Sequence, residues 1–505
     1  MQARAFYAKL FGMNKVKSFL TSRMALFLYG MASFLAFAPY FVFPILWFSF
    51  AILAHKNNNA THKGSFLNAF CLGAGLGVTG MNWLSYAMTL GDGYYRWLVP
   101  LIWIGFGLFF GLYYGLTAYL ASFAPAGYRR WLGFAGWFCV IEWVRGYAFS
   151  GFPWNVVGNI WNGYLPILQV VSVLGVYGLG LLTVLLFTTP NFGRKLKPTL
   201  FALASFGVIY ALGAWRLYDA PKDTVWGVNL RVVQPNVPCT LKWDPKEAQN
   251  NINKLIKLSK EENENITHII WPESAVSFVI NYHEQSRLYL MSAMRQGSVL
   301  ITGAMRGVDP ATRSVANSLV VLNDLTDILA FYDKAHLVPF GEYTPLRGIL
   351  PLDKFVPFDS DIIAGPGPKT IPVEKAPPAG PLVCYEAIFS GQIVDKKHRP
   401  QWLINVTNDG WYGLSAGPHH HFAMAQTRAV EEGLPLVRSA NTGISGIIDP
   451  YGRVWGRLEL DETGVVDSPL PRAITAPPFA QYGNTPPLIL AGFLILVSFK
   501  TKKSA

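Results

Sequence analysis

Three side chains in the second half of the sequence have the types that acyl transfer through a covalent intermediate requires. These are a nucleophile, a base, and a cation for the oxyanion. Cys384 lies in Pro381-Leu382-Val383-Cys384-Tyr385-Glu386, Glu273 lies in Ile269-Ile270-Trp271-Pro272-Glu273, and Lys334 follows Phe331-Tyr332-Asp333. Each follows a predicted strand, at residues 381–384, 267–271 and 328–332 respectively. Strand ends on one edge of an α/β sheet can converge on a single cleft. Singly, each residue has a plainer reading. A free cysteine is usually packed in a core, and a lone lysine or glutamate after a strand is usually a solvated turn residue. The joint arrangement with the flanking residues is what points to chemistry.

The elements that must position these residues alternate. Residues 228–234, 267–271, 298–302, 318–322, 328–332, 381–384, 402–406, 436–439, 444–449 and 453–457 read as strands. Residues 246–264, 282–295, 387–394 and 422–432 read as helices. A strand–helix–strand rhythm predicts an α/β layered domain. Residues 357–381, rich in Pro and Gly, read as a long loop.

The first part of the chain is different. Of the 505 residues, 51% are hydrophobic and only 14% charged, against about 25% charged in an average soluble domain. The mean hydropathy is +0.27. Apolar stretches at 24–39, 41–54, 66–88, 97–123, 131–149, 166–189, 199–217 and 486–499 predict about eight transmembrane helices. Ala36-Phe37-Ala38 imitates a signal-peptidase site, but Pro39 follows and further spans succeed it, so a retained first helix is expected. The domains expected are 1–224 as a membrane part of about seven spans, 225–480 as the catalytic part, and 481–505 as a last span with a tail.

The net charge of +12 maps onto that plan. Residues 1–224 hold 16 Lys and Arg against 4 Asp and Glu, whereas residues 225–499 carry a net −3. Charge confined to the apolar part sets membrane topology more often than it binds nucleic acid, and no nucleic-acid partner is expected. Arg4, Lys9, Lys15, Lys17 and Arg23 precede the first span, and Lys56 and Lys63 follow the second. Arg129 and Arg130, then Arg194, Lys195 and Lys197, then Lys500, Lys502 and Lys503 mark three further loops on the same side. Both termini are therefore expected in the cytoplasm and residues 225–485 outside it. The four cysteines, Cys71, Cys139, Cys239 and Cys384, contain no C-x-x-C pair, so neither a zinc ribbon nor a disulfide framework is expected.

The words around the three residues resemble a known family. Trp271-Pro272-Glu273, Tyr332-Asp333-Lys334-x-His336-Leu337-Val338-Pro339-Phe340-Gly341-Glu342 and Cys384-Tyr385-Glu386 resemble the Glu-Lys-Cys triad of the nitrilase (carbon–nitrogen hydrolase) superfamily. The continuation into Tyr343-Thr344-Pro345 is similar to the apolipoprotein N-acyltransferase family. So are Glu142-Trp143-x-Arg145-Gly146, Phe152-Pro153-Trp154, Gln234-Pro235-Asn236 and Asn408-Asp409-Gly410-Trp411-Tyr412-Gly413. The resemblance covers nearly the whole chain. It implies a polytopic α-helical membrane bundle of about eight transmembrane helices, plus an α/β nitrilase-like αββα sandwich. It implies ping-pong transfer of a fatty acyl chain from a phospholipid, through a Cys384 thioester, to the N-terminal diacylglyceryl-cysteine of an apolipoprotein. No cofactor is implied. A multi-pass protein of the bacterial inner membrane, with its catalytic part in the periplasm, is implied, and a monomer is expected.

Within that resemblance Glu273 is the expected base, Lys334 the oxyanion cation and Cys384 the nucleophile. Lys334 and a helix N-terminus after Cys384 are expected to favour the thiolate. Glu342, Tyr385, Glu386 and Trp243 are implied supporting residues, against a plainer reading of packing and surface charge. His419-His420-His421 is read as an extended loop without convergent ligands, so no metal is expected. The apolar residues Leu346, Ile349, Leu350, Leu352, Phe355, Val356 and Phe358 in 343–363 suggest a lid over the cleft. Two other functions compete: a membrane-tethered nitrilase-type amidase, and a transporter or scaffold with an inactive ectodomain. An ion pathway usually leaves ionisable residues inside spans, and Glu142 with Arg145 is the only obvious pair.

Overall fold

The computed structural model describes residues 19–20, 22–90, 93, 95–191, 196–261, 265–345 and 362–499. The lid residues Leu346, Ile349, Leu350, Leu352, Phe355, Val356 and Phe358 lie outside them. So do the topology residues Arg4, Lys9, Lys15, Lys17, Arg194, Lys195, Lys500, Lys502 and Lys503. The chain divides into two compact units, Met1–Arg216 with Tyr482–Ala505, and Leu217–Gln481.

The first unit is helical. Its helices include Arg23–Ala32, Phe43–Asn57, His62–Gly80, Val99–Ala121, Tyr128–Arg145, Val171–Thr188 and Thr485–Phe499. Glycines let several of these backbones approach closely, as small residues do where helices meet in lipid. A Cβ on Gly30 would meet Leu72 O at 2.0 Å, one on Gly75 would meet Phe27 O at 2.0 Å, and one on Gly136 would meet Ala491 O at 2.7 Å. Among the described residues three helical stretches, Arg96–Ala121, Val171–Asn191 and Lys197–Tyr218, are long and apolar enough to cross a bilayer. Arg23–Ala36 and Thr485–Phe499 are apolar but shorter. The apolar-run count behind the expected eight spans included residues beyond helix ends. The run expected at 66–88, for example, leaves its helix at Gly80.

The buried pair Glu142 and Arg145, 3.5 Å apart, is spent on the backbone of the following loop. Arg145 donates to Trp154 O at 2.6 Å and Phe152 O at 3.2 Å. Glu142 Oε1 accepts from Val157 N at 2.9 Å. The pair therefore folds the Phe152-Pro153-Trp154 segment.

The second unit is a two-sheet sandwich. Its strands are β1 (Thr224–Gln234), β2 (His268–Ile270), β3 (Val299–Asp309), β4 (Ser314–Leu322), β5 (Ile328–Asp333), β6 (Ile371–Val373), β7 (Ala376–Val383), β8 (Trp402–Thr407), β9 (Leu436–Ala440), β10 (Ser445–Ile448), β11 (Val454–Leu458) and β12 (Gly464–Pro471). One sheet has the order β12-β1-β2-β3-β4-β5 and the other β11-β10-β9-β8-β7-β6. The centre of each is parallel, β1-β2-β3 and β7-β8-β9, with antiparallel edges. Alternate residues separate the layers, as the period of two requires. Leu230, Val232, Ile270 and Ile301 face Val383, Ile404, Val406 and Val437 between the sheets. Val233, Ile269 and Leu300 instead pack on Ile252, Leu255 and Ile256 of the helix Ala248–Ser259. The helix Ala416–Glu432 serves the second sheet.

Several expected elements shift. The helix expected at 387–394 is a 3-10 turn, Cys384–Ile388. The segment expected to be helical at 282–295 is Glu284–Leu288 followed by a 3-10 turn, Tyr289–Ala293. The described part of the expected loop 357–381 contains β6 and most of β7. Pro372 is tolerated because β6 is an edge strand, whereas Pro377, Pro378 and Pro381 lie in β7, which pairs with β6 and β8. His419, His420 and His421 sit in the first turns of the helix Ala416–Glu432, not in an extended loop.

Candidate active site

Glu273 follows β2. Its neighbour β3 approaches so closely that a Cβ on Gly303 would lie 2.5 Å from Glu273 Cα. Glu273 is 8% exposed. Its Oε1 accepts a hydrogen bond from Asn317 Nδ2 at 2.7 Å, and its main-chain carbonyl accepts one from Lys242 Nζ at 2.6 Å. Lys334 follows β5, and its N–H donates to Asn317 O at 2.8 Å. The Lys334 ammonium is fully buried, 2.8 Å from Glu342 Oε2 and 3.9 Å from Glu273 Oε1. Asn317 Nδ2 also donates to Glu342 Oε1 at 3.0 Å, so one amide bridges both carboxylates. Glu342 Oε2 further accepts from Val338 N at 2.8 Å.

Cys384 begins the 3-10 turn after β7 and is buried. Its φ of +53° is in the left-handed region, which costs a non-glycine residue about 1–3 kcal/mol and persists only where the surroundings enforce it. Glu386 ties this turn to the Lys334 segment. Its carboxylate accepts from Tyr332 Oη at 2.7 Å, Ala335 N at 2.8 Å, His336 N at 3.0 Å and Val383 N at 2.7 Å. Tyr385 is buried and lies edge-on to Phe389, whose ring stacks on His336. Trp243 stands elsewhere, half-buried against the apolar group of Met305, Leu337 and Ile362.

The electrostatics correct one expectation. Burial pushes the Cys384 thiol well above its ordinary range, and the Glu273 charge adds to this; the Lys334 cation and a hydrogen bond with Thr407 pull the other way but do not win. The resting group is thus a protonated thiol, and the thiolate forms only as its proton leaves. Burial alone would lower Lys334, but Glu342, Glu273 and Cys384 outweigh it and hold the ammonium charged. Burial pushes Lys242 down to about 8 against the opposing pull of Glu273, Cys239 and Cys384. The arrangement can place a proton acceptor, a fixed cation and a buried thiol on one reacting carbonyl.

Asn317 and Lys242 were not singled out as site residues from the sequence. A polar amide entering the otherwise apolar run 318–322 was the available signal for Asn317. Lys242 adjoins Trp243 but gave no sign of burial. Asp409, His421 and Arg438 also come together beside Cys384. His421 Nε2 lies 3.0 Å from Cys384 O and Nδ1 lies 2.8 Å from Asp409 Oδ1.

These couplings have a titration signature. Glu273→Gln removes the negative charge that lifts the thiol, so the pKa of Cys384 should fall. Lys334→Met removes the opposing cation and should raise it. The pH dependence of Cys384 alkylation by iodoacetamide measures both shifts. A Glu273→Gln thiol that titrates higher than the wild type would show that the two groups do not share one field.

Comparison with known proteins follows this division of the chain. Residues 229–476 match the carbon-nitrogen hydrolase family. Residues 29–188 match the apolipoprotein N-acyltransferase N-terminal domain. An apolipoprotein N-acyltransferase of Bradyrhizobium diazoefficiens is 34% identical over 94% of this chain and 94% of its own. Those of Rhodopseudomonas palustris, at 33% over 94% of each chain, and Brucella melitensis, at 35% over 94% and 93%, are similar in extent. Among solved structures, an amidase of the nitrilase superfamily from Nesterenkonia is matched over 50% of this chain and 93% of its own, with 17% identity and a TM-score of 0.37. With a buried Glu–Lys–Cys grouping in its second unit and full-length relatives of this kind, the chain belongs to the apolipoprotein N-acyltransferase family.

Proposed function

We propose that the protein is an N-acyltransferase that moves a fatty acyl chain from a membrane phospholipid to the α-amino group of a lipoprotein's N-terminal diacylglyceryl-cysteine. The observation that supports this most strongly is the Lys334 ammonium, held between Glu342 and Glu273 and coupled electrostatically to the Cys384 thiol. In the first half-reaction Glu273 takes the thiol proton as sulfur attacks the ester carbonyl. Lys334 stabilises the oxyanion. Collapse expels the lysophospholipid alkoxide, which takes the proton from Glu273, and leaves a thioester. In the second, the neutral amine attacks the thioester, Glu273 accepts its proton, and collapse to the amide returns the proton to the departing sulfur. Glu342 positions Lys334, Glu386 positions Cys384 through Val383 N, and Tyr385 and Trp243 support the site through packing, on Phe389 and beside Leu337.

In this reading residues 1–224 and 481–505 form the membrane part with about eight spans. Residues 225–480 face the periplasm from the inner membrane, with both termini cytoplasmic and the protein a monomer. The alternation of basic residues between loops supports the orientation.

An assay with labelled phospholipid and a diacylated lipopeptide tests the reaction. The label should appear in an amide at the lipopeptide amino terminus, and Cys384→Ala and Cys384→Ser should both lack turnover, since a hydroxyl stays protonated without a stronger base. Release of the label as free fatty acid at one rate with or without lipopeptide would make the protein a lipid hydrolase. The orientation has its own check. With an impermeant thiol reagent added from outside the inner membrane, Gln249→Cys should gain label over the unsubstituted protein and Lys63→Cys should not. The reverse pattern would invert the topology.

A further inference from the structure

The helix Ala416–Glu432 turns one polar face toward the segment that carries Cys384. His421 Nε2 lies 3.0 Å from Cys384 O. Arg428 Nη1 donates to Ile388 O at 2.9 Å. Glu431 accepts from Ser390 Oγ at 2.9 and 3.0 Å. Positions 421, 428 and 431 fall on one side of a helix because they are seven and three residues apart. All three side chains are at most 1% exposed. Arg428 and Glu431 hold the end of the nucleophile segment, and His421 holds the nucleophile's own peptide.

His421 is itself fixed from behind. Its Nδ1 lies 2.8 Å from Asp409 Oδ1 and 3.1 Å from Arg438 Nη2. Arg438 Nη2 also pairs with Asp409 Oδ2 at 2.6 Å, and Thr407 Oγ1 donates to Asp409 Oδ1 at 3.0 Å. Arg438 Nη1 donates to Asn405 Oδ1. Asn405 Nδ2 in turn reaches Leu382 O at 3.2 Å and Cys384 O at 3.5 Å. The bonds close a ring: Cys384 O, His421, Asp409, Arg438, Asn405, and back to Cys384 O.

The ring determines which nitrogen carries the proton. A carbonyl oxygen only accepts, so Nε2 must bear hydrogen to bond Cys384 O. In neutral His421, Nδ1 then accepts from Arg438. In charged His421, Nδ1 donates to Asp409. The Nε2–H survives in both states. Burial, reinforced by Arg438 and opposed by Asp409, lowers the imidazole from its ordinary range, and the Nε2–H is present in either state. Arg438 and His421 hold the Asp409 carboxyl down at about 2 against the effect of burial, so the anchor stays charged.

We infer that His421 is a positioning residue for acyl transfer: its Nε2–H, oriented by Asp409 and Arg438, grips the Cys384 carbonyl and keeps the left-handed backbone that aims the thiol. The inference rests on the proposed role of Cys384 as nucleophile. A positive φ at a cysteine needs such enforcement, and a nucleophile misplaced by about 1 Å can lose about 100-fold in rate.

The test is single-turnover acylation of the full-length protein in detergent by a labelled phospholipid, across pH. His421→Leu should acylate about 100-fold more slowly, with the half-saturating phospholipid concentration unchanged within about twofold. His421→Gln retains an N–H donor and should recover to within about tenfold of wild type. Its pH profile should overlay the wild type, because titration of His421 never removes the donor. Wild-type speed in His421→Leu, or a His421→Gln as slow as His421→Leu, would overturn the inference. A limb of the profile lost in His421→Gln would also overturn it, by showing that His421 moves a proton. If His421→Leu does not fold, the isosteric Asp409→Asn serves instead: slower acylation at unchanged half-saturation is expected, and wild-type speed overturns the inference. A wild-type protein that forms no adduct at all would fail the functional reading itself, which separates the two outcomes.

Discussion

An ammonium group taken out of water must be matched by negative charge and by hydrogen-bond acceptors, or it will lose its proton. Lys334 meets that requirement through Glu342 at 2.8 Å and Glu273 at 3.9 Å, and much of the second unit serves to bring those carboxylates to it. Removing one partner from a buried pair typically costs about 3–5 kcal/mol, because the remaining charge is left uncompensated. Here three charges share one site, and Asn317 Nδ2 spans the two carboxylates. That amide donates to both carboxylates and holds them on either side of the ammonium. The cluster therefore holds the Lys334 ammonium charged.

The sandwich explains why such distant residues can meet. β2 and β5 lie in one sheet and β7 in the other, yet Glu273, Lys334 and Cys384 all follow the last residues of their strands. Val383 and Ile270 belong to the same apolar layer between the sheets. Glu386 then joins them: its carboxylate accepts from Val383 N on one sheet and from Tyr332, Ala335 and His336 on the other. A buried carboxylate with four donors is a stiff joint, and it fixes Cys384 relative to Lys334. The thiol itself rests protonated, because burial and Glu273 outweigh Lys334. In the proposed reaction the thiolate therefore forms only as Glu273 takes its proton, when an ester carbonyl arrives to accept the sulfur.

The sequence made the three central residues legible because each ends a strand-like run and is flanked by distinctive residues. The α/β rhythm was readable because short apolar runs, buried on both faces in β8, β9 and β10, alternate with helix-like segments. What escaped was long-range. Asn317 is 44 positions from Glu273 and Arg438 is 29 from Asp409, and no local pattern links such pairs. An arginine inside the buried strand Leu436–Ala440 was the visible anomaly, since a guanidinium enters such a strand only with partners waiting. His421 was weighed as a metal ligand because three histidines stood in a row, but the helix that begins at Ala416 sends it to a carbonyl. The prolines of 362–381 concealed two strands, and apolar runs overran helix ends in the membrane part. Composition reports what a segment can bury, whereas its termini depend on what packs there.

In the proposed reaction Cys384 carries the acyl chain between two substrates. Intact-protein mass spectrometry after incubation with phospholipid, with no acceptor present, tests it most directly. One added acyl mass is expected, mapped to Cys384 and cleaved by hydroxylamine, and it should disappear when a diacylated lipopeptide is added. Transfer of the acyl chain to the lipopeptide with no adduct on Cys384 at any time would contradict it.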